Sequence, residues 1–231
     1  MIPTVSNEEE GVTQKSTLKK EHRWKWLVAL MVGVLLILVG ANVLFYVTRL
    51  STAPKSAPVD QSYQGTDMGK TPAPVFQLHD QNGKLVSLQA LRGRPVVLTF
   101  LYTTCPGPCP LTAEKMYSAT QLLGAQAAQV HWDAVSVNPA VDNAHLATAF
   151  VAAHRLTGYL HFLLGTEKQL RPIWKDYAVG VTPAQGNAAM THSVGIYLID
   201  AQGRERVYLG SNFTPEMLAK NLQQLLANNT K

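Results

Sequence analysis

The sequence predicts an α/β protein: a mixed β-sheet with helices on both faces, preceded by one helix long enough to cross a membrane. Three observations carry this. From residue 94 onward, β-rich apolar runs alternate with runs of helical period. Just before them, two short alternating runs flank Asn82-Gly83, a strong hairpin signal. Far upstream, residues 27–47, LVALMVGVLLILVGANVLFYV, hold no charged residue in 21 positions.

The apolar run is longer than the h-region of a cleaved signal peptide and follows a leader of 26 residues, so it reads as an uncleaved anchor. Trp24 and Trp26 lie at one edge and Phe45 and Tyr46 at the other, where aromatic rings favour the headgroup zone. Lys15, Lys19, Lys20, Arg23 and Lys25 precede the span, while only Arg49 and Lys55 closely follow it, which keeps the N-terminus in the cytoplasm. The acidic NEEE at residues 7–10 argues against a mitochondrial presequence. The expected location is therefore a bacterial inner membrane, single-pass, with the C-terminal domain in the periplasm. Residues 1–26 are then a cytoplasmic segment, 27–47 the transmembrane anchor, 48–71 a Ser/Pro/Gly-rich flexible linker and 72–231 the folded domain.

Net charge is +5 over 231 residues, of which the part after the anchor carries fifteen Lys/Arg against eleven Asp/Glu. With no basic run and no nucleic-acid motif, this mild excess reads as solvation or weak attraction to acidic surfaces, and no nucleic-acid partner is expected.

The domain opens with the hairpin, Val75 to Leu78 and Leu85 to Leu88. RPVVLTFLY, residues 94–102, is apolar enough for a central strand buried on both faces. It runs into the loop TTCPGPCP, after which LTAEKMYSATQLL reads as a helix with Pro110 in its first turn. VHWDAVSVN is a strand, PAVDNAHLATAFVAAHRL a helix and LHFLL a strand. A helix begins at Thr166, with Gln169 completing a capping box. HSVGIYLIDAQGRERVYLG gives two strands turning at residues 201–203, and TPEMLAKNLQQLL a last helix capped by Thr214. That order of elements implies a thioredoxin-like architecture with an N-terminal hairpin.

The only two cysteines, Cys105 and Cys109, occupy the junction between the central strand and its helix. Backbone amides and the helix dipole there favour thiolate, the form needed for disulfide exchange and for metal binding alike. Pro106, Pro108 and Pro110 restrict the loop, and a spacing of four lets both sulfurs face one way. As a purely structural disulfide the pair would add little, because the loop it closes is short. Disulfide, metal grip, or both remain open from the pair alone.

Two thiolates need a third ligand to hold a common metal. Of seven histidines, His22 precedes the span and His79 sits beside the hairpin turn. His131 opens an interior strand, His145 and His154 fall on a helix surface, and His161 reads as a packed core residue. His192 lies in the loop before SVGIYLID, which in a thioredoxin-like fold abuts the cysteine loop. Oxidoreductases of this fold usually place a cis-proline there; this chain has Thr191-His192.

On YTTCPGPCP, SVNP with Asp142 after it, FLLGT and HSVGIYLID, the chain resembles the Sco/SenC family of membrane-anchored copper-binding proteins, which help assemble the dinuclear copper centre of cytochrome c oxidase. The resemblance implies copper ligands at Cys105, Cys109 and His192, a soft set that suits Cu(I) and permits tetragonal Cu(II). It implies a metallochaperone whose partners are the oxidase copper-centre subunit or another cuproprotein, together with other periplasmic copper chaperones or thiol-disulfide proteins. The alternative is a thiol-disulfide reductase that keeps such a partner's cysteines reduced, with Cys105 attacking and Cys109 resolving. A thiol peroxidase or redox sensor is a third, resting on fold analogy. The family often has an acidic residue within the cysteine loop and an Asp before the proline of SVNP; here those positions are Gly107 and Asn138.

The charge asymmetry around residues 27–47 predicts that protease added to intact spheroplasts digests the domain. Digestion only after lysis would reverse the topology.

Overall fold

The computed structural model describes residue 26 and residues 30–46, 63–183 and 190–229. The leader read over residues 1–25 and the linker over residues 48–62 lie outside the described residues. The chain divides into two units, Met1–Ala57 and Pro58–Lys231.

In the first unit, residues 30–46 form helix α1, and its large apolar side chains, Leu30, Met31, Leu35 and Ile37 among them, are exposed. Among the described residues, no helix is long and apolar enough to cross a membrane.

In the second unit, six strands form one mixed sheet in the order β1-β10-β9-β4-β5-β6. At its centre β4 (Val96–Leu101) has all six residues buried. It pairs in parallel with β5 (His131–Ser136), which pairs in parallel with β6 (Leu160–Leu163). On its other side β4 pairs antiparallel with β9 (Gly195–Ile199), and β9 with β10 (Arg204–Gly210). Thr99, Ala134 and Phe162 share one face through this register, and Phe100, Val135 and Leu163 the other.

Helices cover both faces, as the alternation of elements predicts. On the Phe162 face lies α3 (Ala144–Ala153), whose Phe150 ring meets Phe162 edge-on at 5.7 Å. The Trp132 indole, also on this face, donates to the Ala127 carbonyl in the 3-10 turn that follows α2 (Pro108–Leu123), and α5 (Pro215–Asn229) packs against α2. On the opposite face Tyr177, at the end of α4 (Glu167–Asp176), meets the rings of Phe100 and Tyr197. The helix starts follow the sequence: Gln169 Oε1 accepts from Thr166 N at 2.9 Å, and Met217 N donates to the Thr214 hydroxyl at 3.3 Å.

The hairpin β2 (Gln77–His79) and β3 (Leu85–Ser87) turns through Gly83 at φ +75°. Asp80 organises this turn, accepting from the amides of Asn82 and Lys84 at 2.9 Å each and facing His161 Nδ1 at 2.9 Å. The neighbouring Gln81 amide accepts from Phe162 N at 2.7 Å and donates to Leu160 O at 3.1 Å. His161 stacks on His131 at 4.4 Å, and His131 Nε2 stands 3.0 Å from Asp133, whose carboxyl is pushed up by burial.

Two features depart from the sequence reading. Thr66–Pro72 is strand β1, paired antiparallel to β10, so the linker expected over residues 48–71 ends before Thr66. Composition hides this strand because nearly all of its side chains are exposed and it is held through its backbone. Arg206 donates to Gly69 O, while Asn221 accepts from Gln64 N and donates to Gln64 O. The second is a ladder of two-residue strands, β7 (Val181–Thr182) and β8 (Thr191–His192), so His192 lies on a strand instead of in an open loop.

Burial pushes the Asp80 carboxyl up, but the His161 hydrogen bond and the Lys84 and Asn82 amides outweigh it and leave the pKa lowered. Its contribution is therefore complete above the unfolded value and lost as pH falls through the folded one. Asp80→Ala is expected to cost about 1–3 kcal/mol at pH 7, with the gap from wild type narrowing below about pH 4. Urea unfolding at both pH values checks this; a gap that widens in acid would refute it.

Candidate metal centre

The site begins where β4 ends. Tyr102 continues the strand, its carbonyl accepts the Cys105 amide at 3.4 Å, and α2 starts three residues later at Pro108. The helix thus begins two residues before Pro110, and Cys109 is its second residue. Pro108 and Pro110 have no N–H, which removes two of the free donors that a helix start normally offers. The donor left between them, Cys109 N–H, points at Cys105 Sγ at 3.4 Å.

That arrangement divides the two thiols. Burial raises the Cys105 pKa, but hydrogen bonds from the Cys109 thiol and from the Gly107 and Cys109 amides work against it, and the pKa is left lowered. Cys109, 0% exposed against 6% for Cys105, is pushed up by burial and by the neighbouring Cys105 charge. Of the two, Cys105 is the readier to ionise and Cys109 the one that stays a thiol. Tyr102, pushed up to about 12 by burial and the nearby sulfur, remains a phenol.

His192 reaches the pair from β8. Its Nε2 lies 3.6 Å from Cys109 Sγ, and its Nδ1 lies 2.8 Å from the Ser193 carbonyl. A carbonyl only accepts, so Nδ1 carries the proton and the Nε2 lone pair faces the sulfur. Burial lowers the His192 pKa against the opposing pull of the Ser193 carbonyl, which keeps the ring neutral at pH 7. The three predicted residues therefore converge, linked pairwise through Cys109. Among the described residues, no group of three or more His, Cys, Asp or Glu side chains already stands close enough to hold a metal ion, so ligation requires side-chain adjustment.

Among the described residues, the other histidines stay apart from the cysteines. His79 and His145 are exposed, His154 caps the end of α3, and His131 and His161 belong to the stacked pair under the hairpin.

Asp142 has a structural part in the site beyond its place in the motif. It accepts from Thr103 N at 2.9 Å, from the Thr103 hydroxyl at 2.6 Å and from the Ser136 hydroxyl at 2.5 Å. It thereby fastens the cysteine loop to the end of β5. The Ser136 and Asp142 spacing in SVNP and its continuation is the signal that points to it. Beside it, an open groove of about 810 Å³ runs from Val141 to Met190 over Trp174.

The family model described as SCO1/SenC matches residues 64–227. The chain belongs to the SCO1/SenC family. A SCO2-like protein of Rickettsia prowazekii is 26% identical over 200 residues, covering 84% of this chain and 94% of that one. The Bradyrhizobium japonicum ScoI structure with copper bound is 29% identical with a TM-score of 0.60, covering 67% of this chain and 99% of that one. The structure of BsSco, a member of the Sco family of cytochrome c oxidase assembly proteins for which a disulfide switch was identified, is 22% identical with a TM-score of 0.58. It covers 72% of this chain and 98% of BsSco, and at that identity the likeness is one of fold. These SCO1/SenC relatives share the thioredoxin-like core that brings β4, α2 and β9 together here.

The split between the thiols predicts selective alkylation. At pH 7.5, limiting iodoacetamide is expected to modify Cys105 roughly tenfold faster than Cys109. Peptide mass spectrometry reads the ratio, and equal or reversed labelling would contradict the assignment.

Proposed function

We propose that the chain is a membrane-anchored copper metallochaperone that holds copper through Cys105, Cys109 and His192 and passes it to a cuproprotein, the dinuclear copper centre of cytochrome c oxidase foremost. The observation that carries this reading is the His192 ring. It crosses 83 residues of sequence to present Nε2 to Cys109 Sγ at 3.6 Å, with Nδ1 engaged elsewhere. Thiol exchange does not need that lone pair, whereas a three-coordinate metal site does.

When bound, copper is cargo, and two thiolates with one neutral imidazole are donors that suit Cu(I). Cys105 is the thiol that ionises more readily, and Cys109 gives up its proton as the metal takes its place. The exposed apolar side chains of α1 within the charge-free run 27–47 support an anchor across a bacterial inner membrane, with the domain in the periplasm. The groove beside Asp142 offers partner surface next to the site.

The unequal thiols support a second reading, reduction of a partner's disulfide. The Cys105 thiolate would attack one partner sulfur, forming a mixed disulfide and releasing the other as thiolate. Cys109, its proton passing to the partner thiolate released first, would then attack Cys105 Sγ, releasing the second partner thiolate and closing the Cys105–Cys109 disulfide. Two electrons pass to the partner.

His192→Ala separates the readings. The expected result is Cu(I) affinity lower by roughly tenfold or more with an unchanged disulfide midpoint, and oxidase assembly lost about as badly as in Cys105→Ala. Assembly should return in part with added copper. Full copper affinity and full assembly in His192→Ala would replace the metallochaperone with the reductase.

A further inference from the structure

Resting on the copper reading, we propose that Tyr102 is a positioning residue of the site, holding the segment that carries His192 against the cysteine loop through both its ring and its hydroxyl. The need for such a hold is visible in β8. This strand is two residues long and pairs with a strand of two, Val181 opposite His192 and Thr182 opposite Thr191. A ladder this small does not fix a side chain by itself.

Tyr102 touches both halves of the site. Its backbone is the exit of β4, and its carbonyl receives Cys105 N. Its ring meets the His192 ring edge to face, centroids 5.7 Å apart and planes at 77°. Its hydroxyl donates to the Met190 carbonyl at 3.4 Å, just upstream of β8. The side chain is buried, so these contacts are shielded from water. Phenylalanine would supply the ring contact alone. The hydroxyl adds a second point of attachment two residues before His192, and two points fix a segment's rotation where one leaves it free.

The purified full-length chain tests this with Tyr102→Phe and Tyr102→Leu beside wild type and His192→Ala. Cu(I) affinity is read by competition with a chromophoric chelator, and Cu(II) geometry by electron paramagnetic resonance. Amide shifts of Thr191 to Ser193 are read in the metal-free protein. Tyr102→Phe is expected to weaken Cu(I) about two- to threefold, and Tyr102→Leu roughly three- to tenfold. The Cu(II) spectrum of each should contain a fraction resembling His192→Ala, and the metal-free amides should shift. A Tyr102→Phe protein with wild-type spectrum and wild-type amide shifts overturns the proposal, whatever the Leu variant does. If wild type binds no copper, the copper reading fails on its own, and the amide shifts still decide whether Tyr102 holds the segment.

Discussion

Strand β4 is buried on both faces and paired along both edges, and this constraint sets where the chemistry lies. A strand so enclosed cannot shift by one residue without turning Leu98 and Phe100 toward the helices on the other face and breaking register with β5 and β9. Its exit at Tyr102 is therefore fixed in space, and with it the first turn of α2. β9, held to the same strand, brings the Thr191–His192 segment to that exit from the far end of the chain. Asp142 then fastens the cysteine loop to β5. Each segment of the site is thus tied to an element that touches β4.

The loop itself uses absence as well as presence. Prolines at the first and third helical positions withhold two amide donors, which leaves the Cys109 amide between them to face Cys105. Gly107 stands at the cap with no side chain, and a Cβ there would meet nothing within 4 Å. The acidic residue often found in the family's loop would thus fit; what this chain lacks is its charge, which would compete with Cys105 for the same dipole. Asn138 is similar, since its carbonyl organises the turn by accepting from Val141 N and Asp142 N. Replacing Asp with Asn there leaves that backbone task intact and changes only the field around the site.

Much of the fold is legible in the sequence because period and turn chemistry agree locally. The run 94–102, the Asn-Gly turn and the Thr166 and Thr214 caps each carry their own physical signature. Strand β1 is not legible, since an exposed edge strand held by its backbone, by Arg206 and by Asn221 carries no hydrophobic alternation. At the site, the cysteines announce themselves by spacing and prolines, and His192 by its place before β9. The unequal ionisation of the thiols does not, because it depends on which way the loop amides point. Nor does the tautomer of His192, set by the orientation of its neighbour's carbonyl, nor the pair of hydrogen bonds that Asp142 accepts from Thr103, 39 residues away.

The Gln81 side chain has a consequence beyond the hairpin. β6 is the last strand of the sheet, and its outer backbone groups at Leu160 and Phe162 are met by one primary amide that imitates a neighbouring strand. An open sheet border is a template on which a second molecule can add its own strand, the first step toward aggregation. With the antiparallel bridge from His79 to Leu164 next to it, one uncharged side chain closes the border where a whole strand would otherwise be required. In a crowded compartment, the solubility of this protein rests in part on a turn residue far from its chemistry.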